Sequence, residues 1–188
     1  MKTILKNTGI LLAITLIATV ALSFVYELTK EPIAAAQLQK KTEAYQKVYE
    51  AAEAFDTVPD AAALLERFNA AREDGSSVEE VLAAKDAAGQ TLGYVLTAVS
   101  TKGYAGTVRI ALGIDAGGTV VGYAVLEHSE SPGFGANCEN ADVRQQFIGI
   151  TAADQLDGIS GATYTTNALK AETQAAIDLV RELGGAAA

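Results

Sequence analysis

The sequence predicts an α+β protein: a single N-terminal transmembrane helix, a helical segment, then a domain with an antiparallel sheet and a C-terminal helix. Three observations predict it. No charged residue occurs from Asn7 to Tyr26; apolar residues then recur at three- and four-residue steps; and after Asp74 the period becomes alternating before turning helical again near Thr163.

The uncharged run contains GILLAITLIATVALSFV. Twenty residues of helix rise about 30 Å, the thickness of a bilayer's hydrocarbon core. Lys2 and Lys6 precede the run, and Glu27, Lys30 and Glu31 follow it. The positive-inside rule then keeps the N-terminus in the cytoplasm and sends the rest of the chain across. The rival reading is a cleaved signal peptide. Its A-x-A match at Ala34 to Ala36 lies well beyond the apolar run and just after Pro32. The run also exceeds the roughly 7–15 residues of a signal core, so an uncleaved anchor is expected. Thr15, Thr19 and Ser23 are mild polar interruptions that a span tolerates, or that face neighbouring helices.

Pro32 lies at the start of a new helical pattern, with Leu38, Tyr45, Val48, Tyr49, Ala52 and Phe55 on one stripe. A break at Thr57-Val58-Pro59 follows, and Asp60 is placed to cap a second helix bearing Leu64, Leu65 and Phe68. No chemistry is visible in these two helices, which read as a stalk or lid. The segments VEEVLAAKD, LGYVLTAVS, TVRIALGID and VVGYAVLEH read as four strands joined by the turn clusters DAAGQ, TKGYAG and DAGGT. Short turns imply an antiparallel sheet or half-barrel with one face packed and one wetter. A short helix is expected near Ala141 to Phe147, and a final one from Thr163 to about Leu183. The expected divisions are residues 1–28 for the cytoplasmic tip and anchor, 29–75 for the helical juxtamembrane segment, and 76–188 for the folded domain.

Composition narrows the function. The 188 residues carry a formal net charge of -9, with 23 acidic against 14 basic side chains, which argues against nucleic-acid binding. Cys138 is the one cysteine and His128 the one histidine. No intramolecular disulfide, cysteine-based iron–sulfur site or multi-histidine metal site is therefore expected. Any redox chemistry must come from an organic cofactor. Neither a G-x-G-x-x-G fingerprint nor a P-loop is present.

Two glycine-containing stretches do not follow core patterns. Asp157-Gly158-Ile159-Ser160-Gly161-Ala162-Thr163 stands directly before the last helix. Small residues let a bulky group approach the backbone, and a helix start is a ready phosphate site. The bland alternative is that Ser160 or Thr163 only caps the helix. Thr163, Thr165 and Thr166 compete for any role, and spacing does not choose among them. The second stretch, His128 to Ala136, frames Phe134 with Pro132, Gly133 and Gly135, a rigid loop that could lie against a planar ligand. His128 reads as a satisfied histidine and Cys138 as an inert small hydrophobe.

DGISGAT followed by YTTNAL resembles the flavinylation motif of the FMN-binding domain found in the G-type component of Rnf complexes and the C-type component of the sodium-translocating NADH:quinone reductase. The stretch GYAGTVRIALGIDAGGTVVGYAVLEHSESPGFG is similar to the family's sheet and its Pro-Gly loop, and ELTKEPIAAAQ resembles the juxtamembrane segment of the Rnf component. The resemblance implies FMN held covalently as a phosphoester on Thr163, with Ser160, Gly161 and Ala162 lining the attachment turn. It implies Glu130, Pro132, Gly133 and Phe134 near the isoalloxazine. The loop departs from the family pattern in having Ser131 where threonine is commoner and Phe134 where leucine is commoner.

The resemblance further implies an electron-relay component that is not an enzyme alone, has no catalytic or metal-binding residue of its own, and partners other Rnf subunits. A flavin transferase using FAD would mature it. The chain would be a single-pass protein of the cell (inner) membrane, its N-terminus cytoplasmic and its FMN-binding domain, residues 76–188, extracytoplasmic. Three alternatives stay open: the C-type component of the quinone reductase, a stand-alone anchored flavin reductase, and a non-redox module in which SGAT is only a helix cap.

Overall fold

In a computed structural model of the chain, the structure describes residues 2–186, and the side chains at positions 4, 6–33 and 36–184. Two compact units divide at Lys41/Thr42. The helix α1 spans Lys2–Val48. Within the first unit its apolar side chains from Ile10 to Leu28 are exposed, and the helix is long and apolar enough to cross a membrane. Thr15 and Thr19 return their hydroxyls to carbonyls one turn earlier, at 3.0 Å on Leu11 O and 2.8 Å on Thr15 O, so neither needs a neighbouring helix. The Ala34–Ala36 match falls partly outside the described side chains.

Pro32 does not begin a helix; it lies inside α1. It removes one N–H donor, leaving the carbonyl four residues earlier without its helical partner. That carbonyl belongs to Leu28, at an exposed and charged stretch where water can take the place of the missing donor, and Lys30 pairs with Glu27 at 2.7 Å beside it.

The second unit is built on one antiparallel sheet whose strands lie in chain order: β1 (Ala54–Thr57), β2 (Ser76–Lys85), β3 (Thr91–Ser100), β4 (Val108–Asp115) and β5 (Val120–His128). The four expected strands are present, and β1 is a fifth. Its sequence reads as the tail of a helical stripe and a break, because only Phe55 in its four residues is large and apolar. Backbone pairing from Ala54↔Lys85 to Thr57↔Leu82 makes it a strand, with Lys85 bonded to Asp56 at 2.7 Å.

Helix α2 (Ala61–Ala70) follows β1, and α3 (Ala141–Phe147) and α4 (Thr163–Ala186) follow the sheet, with short 3-10 turns at Gly135–Glu139 and Ala153–Gln155. Asp60 does occupy the position before α2, but in a left-handed conformation (φ 55°) with no side-chain cap. Leu64, Leu65 and Phe68 of α2 pack at the edge of the main core.

Alternation along the strands sends Leu96, Ile110 and Leu112 to one face, where they meet Ile177, Leu179 and Val180 of α4 and Phe147 of α3. The opposite face is not wetter. Ala44, Tyr45, Val48 and Tyr49, at the end of α1, cover Ala84, Val95 and Ala111. Small residues on that face leave a shallow seat for a helix end, so both faces are dry. Tyr45 fastens the seat: its hydroxyl lies 2.6 Å from Thr97 Oγ1 and also bonds Glu80. Burial, followed by the Glu80 carboxylate, holds its phenol well above the usual tyrosine range.

Candidate functional site

Three segments distant in sequence meet at the start of α4. The first is the β3–β4 turn. Gly103 is closed in there: a Cβ would lie 2.5 Å from Gly106 O and 2.7 Å from Glu130 Oε1. Tyr104 consequently projects outward and is exposed.

The second segment leaves the end of β5. The Glu130 N–H donates to His128 Nδ1 at 3.0 Å, while His128 Nε2 lies 3.2 Å from Glu139 Oε1, so the histidine is satisfied on both nitrogens. Phe134 N–H and Ala136 N–H both return to Ser131 O at 3.2 Å, which folds the Pro-Gly loop into a compact turn. The 3-10 turn behind it buries Cys138, whose thiol is pushed up to about 12 by burial and then by the Glu139 charge. Below it, the Tyr123 hydroxyl donates to Cys138 O at 3.2 Å and its ring stacks on Phe147 at 3.8 Å between centroids.

The third segment is Ile159 to Thr166. Gly161 adopts φ +74°, and a Cβ there would lie 3.0 Å from the Phe134 ring, so the glycine permits both the turn and the contact. Among the described residues neither Ser160 nor Thr163 makes a side-chain hydrogen bond at this helix start, so neither hydroxyl caps it. Thr166 instead braces the turn that leads into the helix: its hydroxyl accepts from Ile159 N–H at 3.0 Å and donates to Ala162 O at 2.9 Å, which leaves the first-turn N–H groups of α4 free of a side-chain cap.

Between these segments is a cavity of about 440 Å³, within the range of small-molecule sites. Of the residues expected from sequence, Thr163, Gly161, Ala162, Glu130 and Phe134 line it, while Ser160, Pro132 and Gly133 do not. Glu130 reaches the cavity from a buried position. It is 5% exposed, and its two oxygens accept from Ala105 N–H at 3.0 Å and from the Thr165 hydroxyl at 2.5 Å.

Tyr104 and Tyr164 also line the cavity, as does Thr165; both tyrosines lie in the stretches that carry the family resemblance, but neither is among the residues expected at the site. They form a tilted pair, 6.3 Å between centroids and both exposed. Their signal is an aromatic in a glycine turn and one beside a motif threonine, each readable only once the turns are known to meet. Among the described residues no lysine or arginine lines the cavity, and the donors it offers an anion are hydroxyls and the backbone N–H groups of the first turn of α4. No cluster of three potential metal ligands occurs among the described residues.

The FMN-binding domain family matches residues 103–178, which contain every residue lining this cavity, and the family of the RnfG N-terminal region matches residues 1–48. The G component of the Na(+)-translocating ferredoxin:NAD(+) oxidoreductase complex of Acetobacterium woodii is 30% identical over 162 residues, covering 86% of this chain and 77% of the relative. The G component of an ion-translocating oxidoreductase complex in Aliivibrio fischeri strain MJ11 is 30% identical over 188 residues, covering 90% and 87%.

This chain belongs to the RnfG family, the G components of Rnf complexes.

A further relative of this type, from Methanosarcina acetivorans, is 27% identical across 95% of both chains. NqrC of Shewanella oneidensis, at 16% identity and a TM-score of 0.54 over 79% of this chain and 99% of that one, shares the fold.

The cavity of this RnfG-family chain fits FMN. Phe134, Tyr104 and Tyr164 offer apolar rings to a planar heterocycle. The first turn of α4 offers N–H groups to a phosphate, and the exposed Thr163 stands at that turn.

Proposed function

We propose that this chain is the electron-relay component of a membrane ion-translocating ferredoxin:NAD⁺ oxidoreductase complex and carries FMN as a phosphoester on Thr163. The family supports the relay role, and one contrast supports the attachment site. Three threonines crowd one turn of α4. Thr165 is 0% exposed with its hydroxyl on Glu130, and Thr166 is 8% exposed with its hydroxyl spent on the helix start. Thr163 is exposed on the cavity wall. Only its hydroxyl is open to an incoming phosphoryl group.

In the attachment step Thr163 Oγ loses its proton and forms a bond to the flavin-side phosphorus of FAD. The pyrophosphate bond of the dinucleotide breaks, and AMP leaves. A threonine hydroxyl is a weak nucleophile, so a separate transferase must activate it. The α4 N-terminus would then neutralise part of the phosphate charge, and Phe134 and Tyr104 would hold the flavin by apolar contact and limit water around it. Bound FMN supplies one- and two-electron transfer. Its potential is set by burial and hydrogen bonding at the ring, because the tether is at the phosphate.

The N-terminal span anchors the chain in the cell membrane with its N-terminus in the cytoplasm. The chain beyond the span then lies outside, beside the other proteins of the complex. A covalent tether suits that location, where lost cofactor has no cellular pool to return from.

The test is in-gel flavin fluorescence after denaturation, for the wild type, Thr163→Ala and Thr163→Ser, each co-expressed with a flavin transferase. A fluorescent wild-type band that disappears in Thr163→Ala establishes the attachment. A dark wild-type band, or a Thr163→Ala band as bright as wild type, refutes it.

A further inference from the structure

We infer that Glu130 is the positioning residue of this site, a buried tie that holds the Tyr104 wall and the Thr163 helix at one spacing. The inference rests on Thr163 as the attachment site. Its geometry is independent of that reading. Oε1 accepts from the N–H of Ala105, the neighbour of Tyr104. Oε2 accepts from the hydroxyl of Thr165, two residues after Thr163. One carboxylate thereby joins the β3–β4 turn to α4 across sequence separations of 25 and 35 residues.

The surroundings are shaped to the carboxylate. A Cβ on Gly103 would lie 2.7 Å from Oε1, and one on Gly135 would collide with Oε2 and lie 2.5 Å from Thr165 Oγ1. His128 accepts the Glu130 N–H at 3.0 Å and so fixes the backbone from which the side chain starts. With both partners donating, two acceptor oxygens are needed. Glutamine supplies one acceptor and forces the Thr165 hydroxyl to turn round; alanine supplies none.

A charge-assisted pair of bonds, sealed by two glycines, restricts how far the aromatic wall can move from the helix start. Reaction at Thr163 depends on that spacing, since a 1 Å misplacement of reacting groups costs about a hundredfold in rate. Glu130 touches neither phosphorus nor attacking oxygen in this scheme; it acts through Ala105 and Thr165.

The full-length chain in detergent micelles carries the test, as Glu130→Ala, Glu130→Gln, Thr165→Val and the Glu130→Ala/Thr165→Val double variant. Flavin-free protein gives the first readout, amide hydrogen exchange at Ala105, held by Glu130, and at Thr166, whose N–H is held by Ala162 O beside Thr165. Exchange at both is expected to rise roughly tenfold or more in Glu130→Ala, with the double variant no faster. The second readout is the rate of flavin incorporation by purified transferase, at a temperature where each variant's thermal transition shows it folded. Glu130→Ala and Thr165→Val should slow it roughly 10- to 100-fold, with Glu130→Gln between them and wild type. If Glu130→Ala does not fold, Thr165→Val, which removes one arm of the tie, decides the matter. Wild-type incorporation in the folded variants, or additive losses in the double variant, overturns the inference. A wild-type chain that takes no flavin removes the Thr163 reading instead; unchanged exchange in Glu130→Ala then still refutes the tie, and coupled exchange upholds it.

Discussion

Gly122 and Val48 meet backbone to backbone. A Cβ on Gly122 would lie 2.5 Å from the Val48 carbonyl carbon, and one on its cross-strand partner Gly113 would lie 2.9 Å from the same carbon. The end of α1 thus rests on a paired-glycine seat on the sheet, the contact that dries its second face.

Gly122→Ala is therefore expected to destabilise the protein by about 1–3 kcal/mol, the usual cost of forcing a methyl group into a packed site. Gly158→Ala is the control, because a Cβ there has nothing within 4 Å. Urea unfolding of the two variants in detergent would compare their midpoints. Equal midpoints would mean the seat is not tight.

Glu172 lies on the inner face of α4 with neither carboxylate oxygen hydrogen-bonded. Burial raises its pKa well above the usual carboxylate range, and the facing Ser100 N–H opposes that only weakly. Tyr123 and Cys138, the titratable groups nearby, are themselves driven toward their neutral forms by burial. The folded state therefore keeps a proton that the unfolded chain releases at its ordinary, lower pKa. Stability must fall as pH rises above the ordinary carboxylate pKa, toward the raised folded value. Glu172→Gln should flatten that decline, giving a smaller loss of melting temperature from mildly acidic to mildly alkaline buffer. A variant with the wild-type slope would show that Glu172 is not the source.

Cys138 should be inert in the native protein. It is fully buried and its thiol is pushed up to about 12. Alkylation at mildly alkaline pH is expected to run at least about a hundredfold slower than in denaturant, because it requires both opening and deprotonation. Mass spectrometry of timed samples reads the difference, and rapid native labelling would place the thiol near solvent.

Asp60 is the one non-glycine residue with positive φ among the described residues, and its side chain does not cap α2. Asp60→Gly relieves that conformation and should stabilise the fold by up to about 1 kcal/mol. The melting temperature would then rise by about 2–4 °C. A lower melting temperature would mean that the aspartate makes up for its backbone in some other way.

Periodicity carried much of the fold. Alternation located β2 to β5, and helical spacing located α3 and the start of α4, because side-chain period follows directly from local backbone geometry. It failed at Phe55, where four residues are too few to show a period, and at Pro32, where a helix continues through a residue that usually ends one.

The sequence by itself determined the apolar span, the α+β class, and the order of the Pro-Gly loop and the SGAT turn along the chain. Each is a property of neighbouring residues. Only the tertiary structure decided which threonine hydroxyl is open. Thr163, Thr165 and Thr166 are alike in sequence, and the difference arises because Glu130, 35 residues before Thr165, consumes one hydroxyl while Thr166 turns its own onto the helix start. The same folding brings Tyr104 beside Tyr164, a contact across 60 residues of chain that no local spacing encodes.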